Sequence, residues 1–377
     1  MDIDLTWMLL GLPVAFALGW LASRLDFRQL RIENRQAPKA YFKGLNHLLN
    51  EQQDQAIDAF IEAVQNDPET SELHFALGNL FRRRGEYERA VRVHEHLISR
   101  GDLSPYDRER AQHALALDFL KAGLLDRAET ALRRLDGTRL QGQARLALLA
   151  VYERTRDWPQ AAQTAQMLAD SGQGDFSARQ AHYLCEQAKT LSAVQALPVL
   201  HQAAKLAPDL ARPGLEVAAL ELSQGRSMAC FQVLSDLAQY SPSAMPLAAP
   251  LLREAVQAGA PRDEVLAILE ESYQQTRSLD VLKALVALGA SHDAGQARYL
   301  AHLEQEPSLC AATQLMQAQS LGHERMDSQV RRALEHATKP LQRYRCAACG
   351  FEAAQHFWQC PGCQAWDSFP PRRIEEL

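Results

Sequence analysis

Four cysteines stand together towards the C-terminal end of the sequence, at Cys346, Cys349, Cys360 and Cys363. They form two Cys-x-x-Cys turns separated by ten residues, Arg345-Cys346-Ala-Ala-Cys349-Gly350-Phe351 and Cys360-Pro361-Gly362-Cys363. Such a turn places two sulfurs on one side of the backbone, so two turns offer one ion a tetrahedral set of thiolates. Gly350 and Gly362 are expected to permit the tight backbone there, where amide N–H groups can donate to sulfur. Zinc is the expected ion and iron the alternative, since both accept four thiolates. The competing readings are a dithiol redox pair or a chance pattern. The remaining cysteines, Cys185, Cys230 and Cys310, are scattered singly in apolar stretches and read as small core residues. Seven cysteines with one tight cluster suit a reducing compartment and one metal site, not a disulfide scaffold.

The segment from Tyr344 to about Arg373 is too short to build a core without a staple. Metal ligation supplies the staple, helped by Phe351, Phe357, Trp358 and Trp366. The preceding join, Lys339-Pro340-Leu341-Gln342-Arg343, is too short for a flexible linker. The ribbon is therefore expected to pack on the rest of the chain, with Trp358 or Trp366 at the contact. The alternative leaves both rings exposed for a partner.

What must position this ribbon is a long helical region. Apolar residues make up 47% and charged residues 23% of the 377, which excludes a wholly disordered chain. Aromatics are only 7%, and the abundance of Ala, Leu, Gln, Arg and Glu favours helix over sheet. A period of 34 residues runs through the middle: Gly44 to Gly78, Ala56 to Ala90, and Pro208 to Pro242. The clearest unit is Ser71–Ser104, whose Leu77-Gly78, Phe81, Gly85, Tyr87, Ala90 and Leu97 match the tetratricopeptide pattern. Further copies appear around Phe119, Gly123 and Ala128, and around Tyr152, Trp158 and Ala161. Small residues are needed at 78 and 90, where the two helices of a hairpin cross, and Gly85 lets the chain turn. Proline ends the second helix. Each hairpin is apolar on two faces and must stack on its neighbours. About nine units are expected over residues 38–340, degenerate after 244, where helical spacing persists through Val265–Leu269, Leu282–Leu288 and Leu315–Leu321.

A stack of this kind is a binding surface without built-in chemistry. The middle region has no phosphate-binding glycine loop, no His-Glu-x-x-His helix and no nucleophile elbow. His94-Glu95-His96 invites a metal reading, but the repeat frame gives His94 a packing position and turns His96 outward. Arg82-Arg83-Arg84 is either a solvated basic face or a grip for an acidic segment. Asn79, Arg82 and Arg83 are the candidate partner-binding residues, because the inner face of a first helix usually lines the groove. Phe81 and Tyr87 read as packing, and Phe75 is expected to point into that groove.

Residues Leu5–Ala22 are eighteen in a row without a charge, with Trp7 and Trp20 near the two ends. At ~1.5 Å per residue they span ~27 Å, close to a bilayer's ~30 Å hydrocarbon core. A cleaved signal peptide would carry Lys or Arg before the apolar run; this stretch has Asp2 and Asp4 instead. Arg24, Arg28, Arg31, Arg35 and Lys39 follow it, so the positive-inside rule keeps the bulk of the chain on the cytoplasmic side. A net charge of −6 argues against bulk nucleic-acid binding. Around the ribbon, Arg343, Arg345, Arg372 and Arg373 are matched by Glu352, Asp367, Glu375 and Glu376, and no nucleic-acid partner is expected.

Anchor, repeats and ribbon together resemble the lipopolysaccharide assembly protein B family of Gram-negative bacteria. The likeness is strongest at Leu77-Gly-Asn-Leu-Phe-Arg82 with Arg84-Gly-Glu86, and at Tyr344-Arg-Cys346, Cys349-Gly-Phe351, Trp358, Cys360-Pro-x-Cys363 and Ala365-Trp366. It implies an all-α fold: a tetratricopeptide-repeat superhelix with an N-terminal transmembrane helix and a small rubredoxin-like four-cysteine metal ribbon. The expected organisation is an anchor at 1–24, a juxtamembrane linker at 25–37, the repeat array at 38–340 and the ribbon at 341–377. The resemblance further implies a non-enzymatic adaptor, single-pass in the inner membrane, that regulates lipopolysaccharide biosynthesis. Its implied partners are the membrane AAA+ protease FtsH, the LpxC deacetylase whose degradation it promotes, and an inner-membrane regulator that senses lipopolysaccharide. Homo-oligomerisation stays open. The other readings are a rubredoxin-like electron-transfer protein and a nucleic-acid-binding zinc-ribbon scaffold.

Overall fold

Alanine- and leucine-rich segments of nine to eighteen residues, broken by glycine, proline or a polar cap, fold as helices throughout the computed structural model. The structure describes residues 16–18, 20, 42–47, 49–50, 52–66, 70–289, 291–317 and 324–377. Most of the expected anchor at 1–24 and the linker at 25–37 lie outside these residues, as does Pro68, twelve residues after Ala56, where the repeat pattern expects its closing proline. Among the described residues, no helix is long and apolar enough to cross a membrane. The chain divides into two compact units, Met1–Asp157 and Trp158–Leu377.

The first unit carries α1 (Gln53–Asn66), α2 (Ser71–Arg84), α3 (Tyr87–Ser99), α4 (Pro105–Ala122), α5 (Leu125–Arg133) and α6 (Gln141–Thr155). Successive helices pack on one another, and α2 also meets α4. Ala56, Phe60, Leu73, Leu77, Phe81 and Ala90 form the core between the first hairpins. Gly85 takes a φ of 84° and its amide bonds back to Arg82, so α2 stops in a left-handed turn that a side chain would strain. The 34-residue period has a direct physical cause. A Cβ on Gly44 would lie 2.9 Å from the Phe60 ring, and one on Gly78 would lie 2.5 Å from the His94 ring. Phe60 and His94 are themselves 34 apart, so glycine and ring form a matched pair shared by these two consecutive units. Phe75 does not open into a groove: it is buried with Leu97, Leu103 and Ala111, under the Arg110 guanidinium.

The second unit begins with α7 (Trp158–Asp170) and continues through α8 (Ser177–Ala188), α9 (Ala193–Leu206), α10 (Ala211–Ser223), α11 (Ser227–Tyr240) and α12 (Met245–Gln257). It closes with α13 (Arg262–Thr276), α14 (Leu279–Ala287), α15 (His292–Leu303), α16 (Leu309–Gln317) and α17 (Glu324–Thr338). A core of this unit runs from α10 to α14 and includes Leu234, Leu237, Met245, Leu252, Val265, Leu269, Val281 and Leu285. The helical spacing read at Val265–Leu269 and Leu282–Leu288 thus belongs to helices of this unit, while most of Leu315–Leu321 lies outside the described residues. Two short antiparallel strands follow, β1 (Tyr344–Arg345) and β2 (Glu352–Ala353), with Tyr344 opposite Ala353. They open the ribbon.

Candidate metal centre

Strand β1 runs straight into Cys346, whose amide donates to the Phe351 carbonyl, while the Gly350 amide donates back to Cys346. The second turn repeats this pattern: Cys360 donates to Ala365, and Gln364 donates back to Cys360. Gly350 has a φ of 77°, as its type allows. In the second turn the left-handed position belongs to Gln364, with φ 62°, and not to Gly362. Nothing at Gly362 demands glycine: a Cβ there would stand 3.5 Å from the Phe351 side chain, ordinary van der Waals contact. The expected role of Gly362 is corrected accordingly.

The four sulfurs lie within 4.8 Å of one another. Cys346 Sγ is 3.8 Å from Cys363 Sγ, and Cys349 Sγ is 3.6 Å from Cys360 Sγ. A tetrahedral ion with metal–sulfur bonds of about 2.3 Å requires sulfurs roughly 3.8 Å apart, so these residues fit one ion. Burial works against a Cys346 thiolate, but Ser368 and the Ala348 and Cys349 amides outweigh it and hold the thiol down to about 6. The Phe351 amide lowers Cys349, whereas burial and the three other sulfurs push it up to about 12. Four thiolates cannot share this space without a cation. Cys346 and Cys360 are buried, Cys349 and Cys363 exposed. The single cysteines lie in the core as expected; burial pushes Cys185 and Cys310 up to about 12 and Cys230 up to about 11.

The ribbon has its own small core of Tyr344, Cys346, Cys360 and Phe369, against which Leu247 of α12 packs. Both tryptophans lie at the contact with the second unit's helices. Trp366 stacks on His182 with centroids 4.6 Å apart and meets Trp158 and Tyr183 edge-on. Trp358 lies 6.2 Å from His182, and the fully buried Arg212 guanidinium sits 5.9 Å from each tryptophan ring. Arg212 pairs with Glu186 and Glu216 and donates to His182 Nδ1. That bond fixes the tautomer, so His182 Nε2 carries the proton it donates to Asp367 of the ribbon at 2.8 Å. Beyond the strands, the ribbon's tail returns to two helix N-termini. Glu376 accepts from the Leu279 amide, and Glu375 accepts from the amides of Leu309 and Cys310 and from Ser308 Oγ. Carboxylates at those positions satisfy bare N–H groups and complement the helix dipoles of α14 and α16. Arg373 completes the clasp on Asp280 and lies 4.1 Å over the Tyr344 ring.

The candidate partner residues lie on α2 of the first unit. Arg82 donates to Asp118 at 2.8 Å, to the Ala114 carbonyl and to Asn79 Oδ1, so Arg82 and Asn79 are joined to α4. Arg83 is exposed. Asp118, with no exposed side-chain surface, also binds the Nδ1 of the buried His94. His94 is thus a packing residue and His96 is exposed, as the repeat frame required. Of the docking residues, the sequence reading takes Asp367, Glu375 and Glu376 only as charge balance for the ribbon's arginines and does not single out His182 or Arg212. One signal was available: an arginine within Leu210-Ala-Arg212-Pro-Gly-Leu-Glu216, with a glutamate four residues on, marks a paired charge in an apolar run.

Residues 344–371 match the model of a rubredoxin metal binding domain. The whole chain is similar to lipopolysaccharide assembly protein B of Escherichia coli K12, at 28% identity over 97% of this chain and 98% of that one. The protein of the same name from Haemophilus influenzae is 30% identical over 99% of both chains. Among solved structures, a tetratricopeptide repeat protein from Parabacteroides merdae aligns with a TM-score of 0.37 at 12% identity, covering 67% of this chain and 98% of that one. The repeat architecture rests on the helical pairs and their glycine–ring contacts. With 30% identity from end to end and a ribbon that fits one metal ion, the chain belongs to the lipopolysaccharide assembly protein B family.

Proposed function

We propose that this protein is a non-enzymatic adaptor that regulates lipopolysaccharide biosynthesis from the cytoplasmic face of the inner membrane. Residues 1–24 anchor it as a single span, residues 25–37 link the anchor to the array at 38–340, and the metal ribbon follows at 341–377. It brings the LpxC deacetylase to the membrane protease FtsH, under restraint by an inner-membrane regulator that senses lipopolysaccharide. Full-length similarity to proteins named for lipopolysaccharide assembly supports the pathway. The observation that carries the adaptor reading is the docked ribbon, whose tryptophans and C-terminal carboxylates are fixed on five helices of the second unit. A ribbon joined in this way suits a rigid presenting surface better than a free electron carrier. A bound ion, zinc in this reading, supplies four bonds in place of a hydrophobic core. Of the residues proposed to meet a partner, Asn79 and Arg82 shape the α2–α4 face and Arg83 offers an exposed guanidinium.

Tethering beside a membrane protease raises the effective concentration of the partners. The test is the lifetime of LpxC in cells whose native family member is replaced by this chain. The full chain should shorten it, whereas a chain lacking residues 1–24 and an Arg83→Glu chain should each be less effective at equal expression. An LpxC lifetime that ignores the full chain ends this reading.

A further inference from the structure

The ribbon's four sulfurs are not equivalent, and the difference has a chemical consequence. Cys349 and Cys363 are exposed, while Cys346 and Cys360 are each about one per cent exposed. Each exposed sulfur has a buried one from the other turn as its neighbour: Cys349 with Cys360 at 3.6 Å, and Cys363 with Cys346 at 3.8 Å. The residues beside the exposed sulfurs, Ala347, Ala348, Gly350, Pro361, Gly362 and Gln364, are uncharged and exposed, and the one large side chain close by, Phe351 against Gly362, is itself exposed. An accessible thiolate beside a second, protected thiolate is the arrangement in which oxidation stops at a disulfide.

We propose that Cys349 and Cys363 form a site of reversible oxidation by hydroperoxides, which releases the metal and loosens the clasp on the second unit's helices. The thiolate of Cys349 attacks the peroxide; the O–O bond breaks, an S–O bond forms, and hydroxide (or alkoxide) leaves. The resulting sulfenic acid is attacked by the Cys360 thiolate, forming the S–S bond and expelling a second hydroxide. Two thiolates lose two electrons in total and the peroxide gains them. Cys363 and Cys346 can repeat the sequence with a second peroxide. An ion that loses two of its four donors is no longer held in a closed tetrahedral site. The effect then passes to the ribbon's core, because Cys346 and Cys360 are half of it, and to the tail whose Glu375 and Glu376 cap α16 and α14. Cys185, Cys230 and Cys310 are buried in the helical cores with their thiols pushed up by burial, so the reaction is confined to the ribbon.

The experiment uses the zinc-loaded full chain treated with hydrogen peroxide, followed by a chromogenic chelator, peptide mapping by mass spectrometry and amide hydrogen exchange. The expected result is one zinc released per chain, disulfides linking Cys349 to Cys360 or Cys346 to Cys363, and several-fold faster exchange at Leu279, Leu309 and Cys310. Dithiothreitol and zinc should restore all three signals. Zinc retained while the reagent oxidises a free-thiol control overturns the proposal. So do disulfides confined within one Cys-x-x-Cys turn, or products that are only sulfinic and sulfonic acids. Because the wild-type chain is used throughout, no variant has to fold.

Discussion

Two arginines, half-buried Arg82 in one unit and fully buried Arg212 in the other, show what the same side chain can be used for. Arg82 of α2 reaches Asp118 of α4, and Asp118 in turn holds His94, so the whole cluster lies among three consecutive helices. Arg212 of α10 gathers Glu186, Glu216 and His182 in a similar way, but its outer boundary is the ribbon: Trp358, Trp366 and Asp367. The first cluster staples repeat to repeat. The second makes a foreign module part of the repeat stack.

The largest expected effect separates the two units outright. Removing the metal with a strong chelator, or introducing Cys346→Ser, should unfold the ribbon, since structural ions supply on the order of 10 kcal/mol to folds of this size. Hydrogen exchange should then accelerate in α14 and α16 and stay unchanged in α2 and α4. Equal acceleration in both units would erase the contrast drawn here.

Arg82→Ala leaves Asp118 buried with only His94 beside it, and should cost about 3–5 kcal/mol in a denaturant titration. It should leave the tryptophan fluorescence of the ribbon contact as it was. Trp366→Ala should cost less, about 2 kcal/mol, because its ring is only partly buried. Its signature is coupling: combined with Arg212→Ala the losses should be clearly non-additive, whereas with Arg82→Ala they should add.

Acid should weaken the second unit through His302 and His356, both held below the ordinary imidazole range by burial. A depressed histidine binds fewer protons folded than unfolded. Stability is therefore full above the unfolded value of 6.5 and is lost as pH falls below it. His113, lowered by burial and by the Arg82 charge, gives the first unit the same sign from one group. Glu376, raised by burial, acts in the opposite sense as pH rises through 4.5. Denaturant midpoints at pH 7 and pH 5.5 should fall in the wild type, and less so in His356→Gln.

The smallest effect lies at Gln364. A side chain in the left-handed region costs about 1 kcal/mol, so Gln364→Gly should stabilise the loaded ribbon by less than that, after glycine's extra freedom in the unfolded chain is subtracted. A loss of more than 1 kcal/mol in thermal unfolding would mean that the Gln364 side chain supplies more than its backbone costs.

The metal site and the helical hairpins were legible because their signals are local. Two turns of four residues define the sulfurs, and a 34-residue step from Gly44 to Gly78 defines the crossing points. The ring opposite each of these two glycines was harder to read, since Phe60 in one unit is replaced by His94 in the next, with its own acid one helix on. Phe75 was placed in a groove because its helix face was right and its neighbours were unknown; Leu103 and Ala111 from beyond the hairpin cover it. Distance in sequence hid the rest. His182 and Asp367 are 185 residues apart, and no periodicity links a ribbon carboxylate to a helix in the middle of the chain.

The tail's hold on α14 and α16 also orders events during synthesis. Glu376 leaves the ribosome 97 residues after Leu279, and Glu375 follows Ser308 by 67. At roughly 5–20 residues per second, α14 waits about 5 to 20 seconds with its Leu279 amide unanswered, Ser278 Oγ meeting only the Asp280 amide. Through that interval the second unit is incomplete whatever its hydrophobic core has achieved. A chain that stops before Glu375 never closes it. Translation through residues 375 and 376 is thereby built into the folded state, and a product that ends before them leaves the Leu279 amide of α14 and the Leu309 and Cys310 amides of α16 open.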